Sequence, residues 1–482
     1  MKFETVKPDC RGINSAAVER MFDYWDGYDT HVHSCAIIYR GKLVTERAWK
    51  PYSTREPHML NSMSKTFTSI GIMFAMQDGL LKASDRIVDI FSDVAAQGNV
   101  CENMKKMRVE HLLTMSTGHY PDNSDWILTE KDPVSAFIHS DVALEPGTRY
   151  VYNTGATFML SLIIRKLTGK SLFDYLKPRF FDPLEIDAIW EKNENGDSYG
   201  GVGLNVSVVD AAKMGLFLLK KGEWNGKKLL DSKLIEIATS PLIDTVDMEG
   251  QEWLDELKKQ KEWRRNDWEC GYGWQIWRCQ YEGSFRGDGA FGQYCVVVPD
   301  LDLVVAVFSG SHCSQYLLKG IWDVLIPALN ENETFTGEKE RSTKPASGIS
   351  EPVTAEACSL IGKQFTVSAN KLGITEVSVI SPDTFKVSGI HGEHIIKAQS
   401  GGWIRNDLGF GRPVFTFPFI MRPFSDIYVS CGWNDSGVDI KAICNGYAFI
   451  QDFSLRCEGD SVKLVISQFP GNETYELTCE QM

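Results

Sequence analysis

The 482-residue chain contains 12 cysteines yet no Cys-x-x-Cys pair, and the thiols are spread from position 10 to position 479 without the clustering of a zinc site. Scattered thiols in a large chain read as reduced cysteines of a cytoplasmic protein. Close histidine pairs are scarce too. His31-x-His33 and His391-x-x-His394 are the two present, and each supplies too few ligands for a metal centre, so both read as solvated or core histidines. No stretch approaches the ~18 uncharged apolar residues of a membrane span. The opening Met-Lys-Phe-Glu-Thr-Val-Lys-Pro-Asp-Cys lacks the apolar core of a secretory signal. Positive charge is in deficit: 50 Lys and Arg against 64 Asp and Glu give a net charge of −14. That balance argues against nucleic acid or an anionic membrane as partner, because either would be repelled at long range. What is left is a small-molecule partner, with no metal and no cofactor expected.

The length exceeds what one ordinary core supports, so two or more domains are expected. Residues Ser15 to Tyr28 read as an amphipathic helix, and Val32 to Tyr39 and Lys42 to Trp49 as a hairpin turned at Arg40-Gly41. Helical spacing dominates from Ile87 to Gly222, with helices over Val109 to Met115, Val134 to Ser140, Thr154 to Leu167, Leu172 to Leu176 and Ser207 to Lys220. Strand patterns return at Tyr272 to Cys279, Gln293 to Val298 and Leu303 to Phe308, before a closing helix over Tyr316 to Leu329. Strands at both ends with helices between imply an α+β sheet flanked by helices, with a helical subdomain beside it. A polar stretch, residues 332–353, has almost nothing to bury and reads as a linker. From 354 to 482, short alternating segments separated by Gly and Asn imply an antiparallel β-sandwich or barrel of unassigned role.

The chemistry centres on Ser62 and Lys65, which open an apolar stretch with no charged residue between Lys65 and Asp78. Such a helix is buried on all sides. An ammonium in its first turn is costly without a partner, so its presence calls for a reason. Residues three apart share a helix face, which brings the Ser62 hydroxyl within reach of the Lys65 amine. A serine beside an amine base is an activated nucleophile. A helix cap followed by a lysine reaching to the surface is the bland alternative. Ser-x-x-Lys recurs at Ser368 and Lys371, but there it reads as a turn in a β-rich segment.

Two further blocks carry polar groups to element ends. Glu145-Pro-Gly-Thr-Arg-Tyr-Val-Tyr152-Asn153-Thr154-Gly155 delivers two tyrosines ahead of a helix, and a tyrosine beside a lysine can relay protons, although a core tyrosine fits the same spacing. Ser284-Phe-Arg286-Gly287-Asp288-Gly289-Ala290-Phe-Gly-Gln293 places three glycines in six residues before a strand. Main-chain amides there can approach a ligand closely, and a plain bulge is the alternative. Trp253, Trp263, Trp268, Trp274 and Trp277 crowd the preceding segment, either walling an acyl pocket or filling core.

In combination these blocks resemble the serine β-lactamase and penicillin-binding-protein-like superfamily, in its class C-type β-lactamase-related branch of esterases, D-aminopeptidases and amide hydrolases. His58-Met-Leu-Asn-Ser62-Met-Ser-Lys65 is similar to its Ser-x-x-Lys helix start. Leu112-Leu-Thr-Met-Ser-Thr-Gly118 is similar to its Leu-Leu-Thr-His-Thr-Ser-Gly segment, Pro146 to Leu160 to its Pro-Gly-x-x-Phe-x-Tyr-Ser-Asn block, and Gly201 to Gly222 to its glycine-rich turn and helix. The order is the family's, over residues 30 to 330.

The resemblance implies a transpeptidase-like domain over 1–331 in which Ser62 attacks a carbonyl, Lys65 takes its proton and Tyr152 relays protons to the leaving group. It implies an oxyanion held by the amides of Ser62 and Ala290, with Gly289, Asp288, Asn153, Thr154 and Arg286 around the substrate. Thr154 stands where the family has asparagine, and Gly287 where it has lysine or histidine. The second change removes the usual carboxylate anchor, with Arg286 as the neighbouring replacement. The expected activity is hydrolysis of a small ester or amide through an acyl-enzyme. The alternatives are a non-turnover sensor on the same fold, and a β-lactamase or D-amino-acid peptidase.

Overall fold

The computed structural model describes residues 7, 13–28, 30–120, 127–245, 266–329, 340–390, 392–410, 424–459, 461–469 and 474–482. Trp253 and Trp263 fall outside them, as do residues 332–339 of the expected linker. The chain forms two compact units. One is built from the chain up to Arg47, Thr54–Ser309 and the stretch beginning at Cys313, the other from Ala48–Ser53, Gly310–His312 and Glu340–Met482. The second unit thus takes two short pieces that the sequence reading gives to the first.

The first unit is organised on a six-stranded sheet. Its strands are β1 (Val32–Tyr39), β2 (Lys42–Ala48), β3 (Trp277–Arg278), β4 (Phe285–Gly289), β5 (Gln293–Val298) and β6 (Leu303–Ser309), in the order β2-β1-β6-β5-β4-β3. The pairing is antiparallel at β1–β6, β5–β6, β4–β5 and β3–β4. β1, β5 and β6 are buried along their whole length, which requires cover on both faces. Part of that cover is helix α4 (Val208–Leu219), whose Gly215 lies so close to the sheet that a Cβ would meet Cys295 Sγ and Val304 Cγ1 at 2.6 Å each. At the other end of the unit, α1 (Ser15–Gly27) locks to the segment around residue 320 through a Trp25 Nε1–H bond to Leu317 O at 3.0 Å.

Helix α2 (Ser64–Gln77) is preceded by a 3₁₀ turn, Asn61–Met63. Every residue from Ser64 to Ala75 is buried, as its all-round apolar character requires. It packs against α3 (Thr154–Thr168) and β4. Three differences from the sequence reading stand out. The strand expected over Tyr272 to Cys279 shrinks to Trp277–Arg278, because Gln275 adopts a left-handed φ of 57°. The glycine block is not merely the edge of the next strand: residues 285–289 form β4, and 290–292 turn it into β5. The closing helix is the short Gln315–Lys319 followed by a π-helical stretch, Gly320–Leu325.

The second unit carries an eleven-stranded sheet, β7 (Lys363–Val367), β8 (Ile374–Ser381), β9 (Thr384–Gly389), β10 (Gly392–Lys397), β11 (Gln399–Ser400), β12 (Ile404–Phe410), β13 (Phe424–Asn434), β14 (Gly437–Cys444), β15 (Ile450–Glu458), β16 (Ser461–Phe469) and β17 (Thr474–Gln481). The order is β10-β9-β8-β7-β17-β16-β15-β14-β13-β11, with β12 also on β13. Near closure of this barrel-like sheet comes from a side chain. Asn406 of β12 accepts from Lys397 N and donates to Lys397 O, both at 2.8 Å, so its amide imitates a peptide on the edge of β10. Residues 368 to 373 form a turn between β7 and β8, so Ser368 and Lys371 lack the helix that their spacing would need.

Candidate active site

Ser62, the expected nucleophile, stands where a strand turns into a helix. His58–Met59 pairs with Val206 and Asn205, Leu60 N–H donates to Leu204 O at 2.9 Å, and the chain then reverses at Asn61, whose φ is 48°. Ser62 follows, half-buried and in the first turn, where amides have no acceptor within the helix. Lys65 Nζ lies 3.0 Å from Ser62 Oγ and 3.0 Å from Gly201 O, with the residue only 2% exposed. The Lys65 amine also sits 4.8 Å from the centroid of the Tyr152 ring. The three groups expected to act together therefore occupy one site.

The lysine is held by the glycine turn at 200–203. Thr68 Oγ1–H donates to Gly200 O at 2.8 Å and Leu204 N–H to Ser64 Oγ at 3.2 Å, so the turn is stitched to α2 on either side of Lys65. A side chain at Gly201 would strike Thr154 Cγ2 at 2.7 Å, which explains why glycine stands beside the start of α3. Sequence reasoning did not place the Gly201 carbonyl on the lysine, since a backbone acceptor leaves no residue-type signal.

Tyr152 is the half-buried member of an aromatic group. Its ring stacks on Trp277 at 6.1 Å and 21°, while Tyr150 and Tyr272 meet Trp277 edge-on at 5.7 and 4.9 Å. Burial drives the Tyr150 and Tyr272 phenols well above the ordinary tyrosine range, so both stay neutral. Trp268, Trp274 and Trp277 are buried, and Trp277 serves as the floor beneath Tyr152.

Residues expected around the substrate divide. Gly287 and Gly289 face the nucleophile turn: a Cβ at 287 would lie 2.9 Å from Met63 Cγ, and one at 289 only 2.1 Å from Leu60 O and 3.1 Å from Met63 N. Ala290 follows directly, and its carbonyl accepts from Asn61 Nδ2 at 3.0 Å. Asn153 does not face substrate. It is wholly buried as the cap of α3, its Oδ1 accepting from Ala156 N at 2.8 Å. Thr154, half-buried, is the first residue of that helix.

Arg286 is likewise withdrawn. Strand alternation turns residues 286 and 288 away from the face that 287 and 289 present to Ser62. The Arg286 guanidinium is fully buried, donating to Asp288 Oδ2 at 2.8 Å, Arg278 O at 2.9 Å and Asp267 O at 3.1 Å, among the rings of Trp268, Trp277 and Tyr294. It cannot replace the missing cation at Gly287. Burial raises the Asp288 carboxyl, with Arg286 opposing that rise.

Gln275 is a further residue that the sequence did not mark. Its amide accepts from Thr157 Oγ1 at 2.7 Å and donates to Leu112 O and Leu113 O at 2.9 and 3.1 Å, and its carbonyl accepts from Thr66 Oγ1 at 3.1 Å. One side chain and its backbone so link α2, one residue past Lys65, to α3. Among the described residues no group of three or more His, Cys, Asp or Glu could hold a metal. His33 and His58 bond to each other at 3.0 Å in the core, and burial lowers His33.

The sequence matches the beta-lactamase family over residues 19–312. It is 26% identical over 145 residues to penicillin-binding protein 4* of Bacillus subtilis (strain 168), covering 28% of this chain and 30% of that protein. To the D-aminopeptidase of Brucella anthropi it is 28% identical over 162 residues, covering 31% and 30%. The chain thus spans less than a third of either relative's length. Among solved structures, a penicillin-binding-protein homologue from Caulobacter crescentus superposes with a TM-score of 0.52 at 14% identity, covering 64% of this chain and 97% of that one. No described helix is long and apolar enough to cross a membrane. With the match running over residues 19–312, through the Ser62, Tyr152 and β4 segments alike, the chain belongs to the beta-lactamase family.

Proposed function

We propose that the protein hydrolyses a small, uncharged ester or amide through an acyl-enzyme on Ser62. The observation that carries this reading is the shared position of the Ser62 hydroxyl, the Lys65 amine at 3.0 Å and the Tyr152 ring at 4.8 Å from that amine. Ser62 Oγ attacks the substrate carbonyl and its proton passes to the Lys65–Tyr152 pair. The tetrahedral oxyanion rests on the amides of Ser62 and Ala290. Collapse breaks the bond to the leaving group, which takes the proton back, and water repeats the sequence to release the acid and restore the serine.

The preference for an uncharged substrate follows from β4. Gly287 offers no cation, and Arg286 is wholly buried on the other face of β4, bonded to Asp288 and two carbonyls. A substrate carboxylate would find no bidentate partner there, which weighs against penicillins and peptide C-termini. The setting we propose is the cytoplasm, in keeping with free thiols at all eleven described cysteines.

The test is steady-state hydrolysis of p-nitrophenyl acetate. The wild type turns over continuously and Ser62→Ala is inactive. A single stoichiometric burst would favour the sensor alternative, and an active Ser62→Ala would remove the reading. A chromogenic cephalosporin run beside it should give no turnover.

A further inference from the structure

We infer that Asn61 is a positioning residue that sets the geometry of the oxyanion hole by holding both of its halves. The inference rests on the Ser62 acyl-enzyme reading and extends it to a residue outside the Ser62, Lys65 and Tyr152 set. Asn61 is a non-glycine residue in the left-handed region, at φ 48°. Asparagine tolerates that conformation better than most side chains. The reversal is what turns the strand at His58–Met59 into the first turn of the helix.

The side chain does the second half. Asn61 Nδ2 donates to Ala290 O at 3.0 Å, and Gln293 Nε2 donates to the same oxygen at 3.1 Å. Gln293 is itself fixed, since its Nε2 also donates to Ser309 O at 2.7 Å and its Oε1 accepts from Ser309 N at 3.3 Å. Ala290 opens a tight reversal in which Phe291 and Gly292 both have positive φ, 67° and 84°, and Gly292 N–H donates to Gly289 O at 3.2 Å. A reversal of that kind can rock about its strand ends. Two donors on one carbonyl restrain the residue whose amide completes the hole, and one of those donors comes from the residue that precedes the nucleophile. The spacing between the two oxyanion amides is thereby tied to a single asparagine.

The experiment compares Asn61→Gly, Asn61→Asp and Asn61→Ala with the wild type. Glycine keeps the left-handed backbone and loses the tether. Aspartate keeps the size and turn preference but cannot donate. The expected loss in kcat for p-nitrophenyl acetate is on the order of tenfold for Asn61→Gly, less than the 10²-fold or more of deleting an oxyanion donor outright. KM is unchanged, and the affinity for a simple aryl boronic acid, which forms a tetrahedral adduct, falls by the same factor. Asn61→Ala loses about a further tenfold, the population cost of holding alanine left-handed. In Asn61→Gly the acid-limb midpoint of the pH–rate profile stays in place, because neither asparagine nor glycine carries a titrating side chain. Should Asn61→Gly fail to fold, Asn61→Ala, likewise uncharged and without the tether, gives the comparison, whereas Asn61→Asp also brings a negative charge to the site and its pH midpoint is not compared. Wild-type kcat and boronate affinity in either folded variant, with Ser62→Ala inactive, overturn this inference alone. A shifted midpoint overturns it too, and an active Ser62→Ala removes it together with the proposed function.

Discussion

Replacing Gly289 by alanine should separate the nucleophile turn from β4. The glycine has ordinary backbone angles, so alanine meets no conformational strain of its own, and the effect is purely one of space. Its Cβ would lie 2.1 Å from Leu60 O, 3.0 Å from Gln293 Cβ and 3.1 Å from Met63 N. An ordinary carbon–oxygen contact is about 3.3 Å, so strand and turn must part by about 1 Å. Neither side yields cheaply, since β4 is paired with β3 and β5 and Leu60 N–H is bonded to Leu204 O. Overpacking of this kind costs about 1–3 kcal/mol of stability. The catalytic cost is larger in proportion, because Ser62 and Ala290 lie on the two surfaces being separated. A displacement of about 1 Å in reacting groups is worth roughly 10²-fold in rate, or about 2.7 kcal/mol. The assay is kcat for p-nitrophenyl acetate, with thermal melting as the companion measurement. Gly27→Ala is the control: nothing lies within 4 Å of its Cβ, and its effect should stay within about 0.5 kcal/mol. A Gly289→Ala enzyme that melts lower but keeps full kcat would refute the claim that this contact sets the catalytic spacing.

Arg286→Met should destabilise the first unit by roughly 3–5 kcal/mol in urea unfolding, since it strands Asp288 and two carbonyls in the core; an unchanged midpoint would contradict the buried-pair description. His119, held at about 4 by burial, is neutral in the folded protein and protonated in the unfolded chain between about 6.5 and 4. Stability is complete above 6.5 and declines as pH falls through that window, by roughly 3 kcal/mol at most. His119→Gln should flatten this part of the melting-temperature profile, and an unaltered slope would assign the decline elsewhere. Asn406→Leu removes the two bonds on Lys397 and should cost about 2 kcal/mol, read as faster hydrogen exchange at the Lys397 amide; unchanged protection there would show the strand edge holds without it.

The sequence exposed those parts of the fold whose periodicity is local. The apolar run after Lys65 and the helix after Asn153 were legible because burial all round and one apolar face leave a pattern in consecutive residues. β12 was not, because Ile404–Phe410 carries Arg405, Asn406 and Asp407 in succession, as suits a strand whose edge role is polar. β4 was not legible as a strand of its own, because Gly287 and Gly289 are required by the close approach of residues 60–63, a contact more than two hundred positions away. Arg286 was expected near the substrate on adjacency alone. The period-two alternation of a strand turns it the other way, once Gly287 and Gly289 are known to face the nucleophile. Asn61, Gln275 and the Gly201 carbonyl act through hydrogen bonds between distant segments, for which residue spacing holds no signal.

The short piece Ala48–Ser53 has a consequence for how this gene product can be cut. Lys50 N–H donates to Arg341 O at 2.9 Å, Thr343 N–H to Lys50 O at 2.7 Å, and Tyr52 packs with Ile443 and Ile450. A fragment starting at residue 340 would therefore leave behind a strip of its own fabric, lodged some 290 residues upstream. Transplanting the carboxy-terminal barrel onto another scaffold calls for that strip to travel with it, whether by fusion or as an added peptide.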